Sequence, residues 1–275
     1  MKITTTASPL VSRVSTPSRS TWAGTRRPIR TLQTLSLLLG GVIPALGQND
    51  DLPTQLWLAA QHHHKVGEKT RVSGKLGYKE LTSPDRYFGE WNKSYLNADG
   101  SYDLGEHFRI DGGVGLYYTY QPEDEDTFEF RLWQGATAFW PDNPGSLRRL
   151  VFTHRLRIEE RFTDSDGWDF AMRLRYRLDT KIPINKYTLE PGAFYLPLAA
   201  EFFADLTGEA TECFGDQRRL SVGLGYVLNK NWTLDLRFQR QTSRSTGEED
   251  FTRSANVIDF TVKSSFGIRD VVKGR

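Results

Sequence analysis

A chain of 275 residues that is 38% hydrophobic, with a formal net charge of +2, is too polar for a bundle of membrane-spanning helices. It is also too near neutral for bulk electrostatic attraction to nucleic acid, and its single cysteine, Cys213, excludes an intrachain disulfide and a cysteine zinc cluster. A membrane β-barrel stays open, because there only every second strand residue must be apolar.

Residues 1–34 are rich in Ser, Thr, Pro and Arg, and no acidic residue precedes Asp50. Arg26, Arg27 and Arg30 lead into the apolar run Leu35–Leu46, and Ala45-Leu46-Gly47 offers small residues where a signal peptidase reads. The run contains Pro44 and falls short of the roughly 20 residues a spanning helix needs. A secretory signal cleaved before Gln48 is expected. No cysteine follows that point, so a lipoprotein is not expected, and Thr25-Arg26-Arg27 gives only a hint of a twin-arginine signal. The expected organisation is a signal over 1–47, a lead-in over 48–53, a barrel domain over 54–267 and a basic tail over 268–275.

From Gln55 onward the pattern has a period of two, the signature of strands whose successive side chains point to opposite faces. Gln55–Lys65 is the first strand, Val66-Gly67-Glu68-Lys69 its turn, and Thr70–Lys79 the second strand. A polar, aromatic loop leads to Trp91–Leu104, where Tyr95, Asn97, Asp99 and Ser101 oppose Leu96, Ala98 and Tyr102. Gly105-Glu106-His107 turns into Phe108–Tyr120. An acidic loop, Pro122–Asp126, precedes Thr127–Trp140, and Pro141–Gly145 is a further turn. Leu150–Phe162 and Trp168–Leu178 then form a hairpin across Thr163–Gly167, with the second strand reaching towards Ile184. Ala193–Leu206, Gln217–Leu228, Trp232–Gln241 and Asn256–Phe266 complete the series, which comes to about eleven strands. Leu104–Phe108 and Leu228–Trp232 are equivalent short turns, each entered by an aliphatic residue and left by an aromatic one; Val66–Thr70 is a degenerate copy.

Many of these strands have ten or more residues. Soluble strands usually have about 5–6, whereas a tilted membrane-crossing strand needs about 9–11. Short turns alternating with longer loops match an outer-membrane layout. The expected fold is therefore all-β: a closed, antiparallel, up-and-down barrel of the transmembrane type. Placing both termini at one rim demands an even strand number, so twelve is expected, with ten as the fallback. Trp57, Trp91, Trp140, Trp168 and Trp232 lie near strand ends, where interface girdles sit. Alternation does not say which face points outward; a soluble periplasmic barrel binding an apolar ligand would turn the greasy face in.

Several stretches carry a resemblance: LVFTHRLRIEERF (Leu150–Phe162), LRYRL (Leu174–Leu178), LEPGAFYLPLAAEFFADL (Leu189–Leu206), FGDQRRLSVGLG (Phe214–Gly225) and YVLNKNW (Tyr226–Trp232). Together, over roughly Leu56–Phe266, the chain resembles the bacterial domain of unknown function 2490 family. The resemblance implies an outer-membrane β-barrel with a cleaved signal and assigns no activity.

The chemistry on the polar face is a ladder of arginines: Arg155, Arg157, Arg173, Arg175, Arg177, Arg219 and Arg237, with Glu159 and Asp235 beside them. Asp169, Glu201 and Asp205 are further candidate partners. In a lumen this ladder is either a salt-bridged filling or an anion-favouring ring. His62-His63-His64 places only His62 and His64 on a common face, without the cysteines or carboxylates of a metal site. His154 lies on the apolar face, where a lipid-modifying barrel enzyme would hold its base, but no His-x-Ser spacing accompanies it. Cys213 has no basic neighbour nearer than Arg218. The expectation is a non-enzymatic outer-membrane barrel, structural or passively conducting, with no cofactor and no metal. Its expected partners are outer-membrane lipid, the barrel-assembly machinery during biogenesis and small solutes, not nucleic acid. The alternatives are a lipid-modifying barrel enzyme or the soluble periplasmic barrel.

Overall fold

The computed structural model describes residues 53–82, 91–122, 124–140, 150–164, 167–207, 217–243 and 253–267. The expected signal, basic tail and 141–145 turn, and Cys213, lie outside them. Eleven strands follow one another: β1 (Thr54–Lys65), β2 (Thr70–Thr82), β3 (Asn92–Asp103), β4 (Phe108–Tyr120), β5 (Thr127–Trp140), β6 (Phe152–Asp164), β7 (Trp168–Pro183), β8 (Phe194–Asp205), β9 (Gln217–Val227), β10 (Trp232–Ser243) and β11 (Arg253–Gly267). Each pairs with the next in antiparallel fashion, and β11 closes onto β1 to complete a barrel.

The eleven segments legible from alternation are thus the eleven strands, and the parity argument that moved the expectation to twelve or ten is what fails. A meander with an odd number of strands delivers its first and last members to the seam in the same direction. Closure is therefore parallel, from Thr54↔Asn256 to Lys65↔Gly267, so the barrel is not antiparallel throughout. One rim, here the N-terminal rim, holds the start of β1; the opposite, C-terminal rim holds the end of β11.

The three equivalent turns all sit at the C-terminal rim and share one hydrogen bond. The N–H of Val66, Leu104 and Leu228 donates to the carbonyl of Thr70, Phe108 and Trp232 at 3.1, 2.9 and 3.0 Å. Asn229 adds its side chain, whose Oδ1 accepts from the N–H of Asn231 and Trp232 at 2.9 and 3.0 Å. The expected division of short turns from long loops is incomplete. The 184–193 connection is long yet lies at that rim, where β5 and β6 are also separated by eleven residues, whereas β6 and β7 are separated by only three residues at the other.

The apolar parity faces outward all round. Leu76 is 62% exposed, Leu236 50% and Leu116 42%, with Leu58, Ile110, Val114, Leu156, Leu220 and Phe260 on the same surface. The polar parity faces in, where Glu159 is 1% exposed and Asp235 1%. This is opposite to what a soluble barrel with an apolar interior requires. A closed cylinder also leaves no strand edge unpaired. Two aromatic rings fold across the interior wall at glycines directly opposite them in register, Tyr95 over Gly77 and Tyr195 over Gly225. A Cβ on either glycine would lie 2.1 Å from the ring. Of the expected girdle, Trp140, Trp168 and Trp232 are exposed on the outer surface. Trp57 and Trp91 instead line the lumen.

Candidate functional site

The lumen is built from the inward residues of every strand, and its chemistry follows from register. Pairing places Arg131 opposite Arg161, Arg157 opposite Arg175 and Arg155 opposite Arg177. Like charges directly opposite destabilise a sheet, so each cluster needs an acid between its members.

Three buried glutamates supply it. Glu129 (β5) accepts from Arg131 at 2.5 Å and, through a two-pronged contact at 2.9 and 3.0 Å, from Arg161. Glu159 (β6) accepts from Arg173 at 2.6 Å, Arg175 at 3.2 Å and Arg131 at 3.4 Å. Glu201 (β8) accepts from Arg175 at 2.5 Å, Arg177 at 3.0 Å and Arg219 at 3.5 Å. Arg131 and Arg175 each bridge two of these glutamates, so the six arginines and three glutamates form one connected network across β5 to β9. Phe203, 1% exposed, lies within it, with the guanidinium carbons of Arg173 and Arg219 both 4.8 Å from its ring centre and that of Arg175 at 5.4 Å.

Nearer the C-terminal rim, Arg157 donates to Asp111 at 2.7 Å and lies 5.0 Å from the Trp133 ring centre. Asp235 takes the Lys263 ammonium, the Tyr195 hydroxyl and, at 3.7 Å, Arg237. Asp103 sits between Arg71 at 2.5 Å and Arg109 at 2.6 Å. Arg155 lines the lumen with no salt bridge among the described residues. All nine site residues read from the sequence (Arg155, Arg157, Glu159, Arg173, Arg175, Arg177, Arg219, Asp235 and Arg237) therefore lie on the inner wall. Of the candidate partners, Glu201 is central. Asp169 is exposed, and Asp205, at the end of β8, accepts from its neighbour Thr207. Glu129, Arg131, Arg161, Asp111, Lys93 and Trp133 were missed, although the same alternation that placed the ladder places them on its face.

Among the described residues, cavities lie to either side of this network. One, of about 360 Å³, lies towards the N-terminal rim and includes Trp57, Lys79, Trp91 and Lys93 in its wall. The other, of about 320 Å³, lies towards the C-terminal rim around Asp99, Lys181, Asp235 and Lys263. Lys75, Asn97, Arg175, Arg177, Gln239 and Asp259 line both and form the waist between them.

On the outer surface His154 Nδ1 lies 2.8 Å from the Tyr176 hydroxyl. His62 and His64 share the outward parity with ring centres 6.3 Å apart. His62 Nδ1 lies 2.8 Å from Ser264 Oγ across the β1–β11 seam, a pairing of residues 202 apart that no sequence spacing could show. Among the described residues no group of three or more His, Cys, Asp or Glu side chains could hold a metal ion.

With this geometry in hand, comparison with known families is decisive. The model of the family described as "Protein of unknown function (DUF2490)" matches residues 54–252. The chain belongs to that family. The match covers β1 through the connection after β10, hence nearly all of the barrel wall of this DUF2490 member. No curated protein matches it. Among solved structures it is similar to LpxR from Salmonella typhimurium, at 9% identity and a TM-score of 0.46 over 71% of this chain and 83% of that one. It is also similar to the translocator domain of autotransporter NalP from Neisseria meningitidis, at 15% identity and a TM-score of 0.42 over 78% and 90%.

Proposed function

We propose that this DUF2490 member is an outer-membrane β-barrel of structural or passive-transport function, not an enzyme, whose lumen is closed by its own salt bridges. The observation that carries the reading is the outward band of exposed leucine, valine, isoleucine and aromatic side chains around a closed cylinder. Soluble monomers rarely expose apolar patches beyond a few hundred square ångströms, whereas in lipid such a band is at home and an unclosed sheet is not. The arginine–glutamate network crosses the interior from β5 to β9 with each of its six arginines on a carboxylate, which supports a filled lumen. Residues 1–47 direct export and are cleaved off in its course, and insertion into lipid follows delivery to the barrel-assembly machinery. The test is membrane fractionation with gel mobility before and after boiling. The reading expects sedimentation with outer membranes, a mobility that changes on heating, and little conductance in planar bilayers. Recovery in the soluble periplasmic fraction would refute it, and a large steady conductance would replace the filled lumen by an open pore.

A second reading, a lipid-modifying enzyme, rests on the His62–Ser264 contact on the lipid-facing side. A histidine within hydrogen-bond reach of a serine is the arrangement that activates a hydroxyl nucleophile. Ser264 is only 8% exposed, however, and among the described residues no carboxylate orients the imidazole. The reading predicts that purified barrel hydrolyses phospholipid in mixed micelles and that Ser264→Ala removes the activity while heat-modifiable mobility is retained.

A further inference from the structure

The acids of the lumen are unevenly placed. Glu129, Glu159 and Glu201 all stand on β5, β6 and β8 and are taken up by arginines of the same sector. Facing them, Lys75 and Lys79 (β2) and Lys93 (β3) point into the N-terminal cavity, and no described carboxylate lies within salt-bridge reach of any of the three. Their neighbours are rings instead. The Lys79 ammonium lies 3.7 Å from the Trp57 ring centre and 5.6 Å from that of Tyr95; Lys75 is 5.7 Å from Tyr95, and Lys93 5.7 Å from Trp91. The guanidinium of Arg219 approaches Trp57 as well, at 5.2 Å.

The cavity has a large positive excess. Among the described residues nine basic side chains line it against two acidic ones, Glu201 and Asp259. Glu201 already serves three arginines, and Asp259 accepts from Gln239 and Thr261, both at 2.9 Å. Glu129 and Glu159, part of the same network, do not restore neutrality. Positive charge concentrated in a concave, protein-walled space draws anions into it. A cation held over a ring face keeps its remaining N–H groups free for an acceptor. The volume, about 360 Å³, is that of a pocket for one small molecule.

We propose that the N-terminal cavity is a binding site for one small organic polyanion, carrying two or three carboxylate or phosphate groups. Lys75, Lys79 and Lys93 hold the anionic groups, and the rings of Trp57, Tyr95 and Trp91 cover the carbon body. The site rests on the inward-facing lumen of the preceding reading and goes beyond it. It makes the barrel a carrier or sensor of such anions at one rim instead of inert filling. The arginine sector is closed by its own glutamates; the lysine sector is the part left for a ligand.

Isothermal titration of the detergent-extracted barrel with citrate, and separately with inorganic pyrophosphate, at constant ionic strength tests the proposal. Every sample is first checked for heat-modifiable mobility, so that loss of the barrel is not mistaken for loss of the site. The expected result is saturable binding of at least one probe, with one site per chain and none for sucrose. Affinity should fall at least ten-fold in the Lys79→Gln/Lys93→Gln double variant and stay unchanged in Lys69→Gln, in a turn of the other rim. Tighter binding of citrate assigns a carboxylate ligand, and tighter binding of pyrophosphate a phosphate one. Should the double variant fail to assemble, Lys93→Gln alone is expected to weaken binding at least three-fold. A heat-modifiable barrel that binds neither probe, or binds equally well with and without these lysines, overturns the proposal while leaving the closed barrel standing.

Discussion

The inner wall has two sectors of the same parity and opposite electrostatic design. From β5 to β9, six arginines share three buried glutamates, and every glutamate serves at least two of them. On β2 and β3, three lysines lean on aromatic rings with no acid among the described residues in salt-bridge reach. Arginine, with its planar fork, can tie several strands through shared carboxylates, whereas a lysine ammonium is a compact point charge suited to a mobile or exchangeable partner. The contrast separates a part of the lumen that holds the cylinder together from a part that leaves charge available.

The largest expected effect comes from breaking the arginine sector. Glu201→Gln takes from Arg219 its carboxylate partner and leaves Arg175 and Arg177 with one each, Glu159 and Asp179, and an uncompensated buried charge costs about 3–5 kcal/mol. The temperature at which the folded gel band converts to the unfolded one should drop clearly, and more than for any lysine variant. A charge on the opposite face comes next. Val114 lies midway along β4 on the outer surface, and Val114→Arg should cost about 2–4 kcal/mol in lipid. The same change at Leu104, in a turn at the rim, should cost about 1 kcal/mol or less. Gly77→Val removes the slot in which Tyr95 lies across the wall, and overpacking of that kind costs about 1–3 kcal/mol. The smallest effect should come from the lysine sector. Lys79→Met keeps the stem over Trp57 and removes one charge that no described carboxylate pairs, so the unfolding temperature should stay level or rise. A loss as large as that of Glu201→Gln would erase the distinction between the sectors.

The arrangement of sectors was only half legible in the sequence. Alternation located all eleven strands to within a few residues, and it placed the arginine ladder on one face because a period of two survives any tilt of the strand. The match of Leu104–Phe108 to Leu228–Trp232 was legible because the same backbone hydrogen bond closes both turns. Partner choice was not. Asp169 looked as suitable as Glu201, but it is exposed at the start of β7. Glu129 reaches Arg161 only through the β5–β6 register. Trp57 was expected in a girdle because it stands near a strand end, yet its parity with Gln55 and Gln61 turns it inward beside Lys79. The β1–β11 seam, with its parallel pairing and the His62–Ser264 contact, joins residues some 202 positions apart, and no local pattern carries that information.

The most direct measurement of the central claim, apolar parity to lipid and charged parity to lumen, is site-directed fluorescence in vesicles. In a Cys213→Ser background, a single cysteine at Leu236 or at Ser221 is labelled with a small fluorophore, and the barrel is reconstituted with lipids brominated along the acyl chain. Leu236 is on the outer surface and Ser221 lines the C-terminal cavity. Strong quenching at 236 and little at 221 is the predicted result. Quenching at 221 with none at 236 would mean that the charged face meets the lipid, and it would contradict the whole account of the lumen.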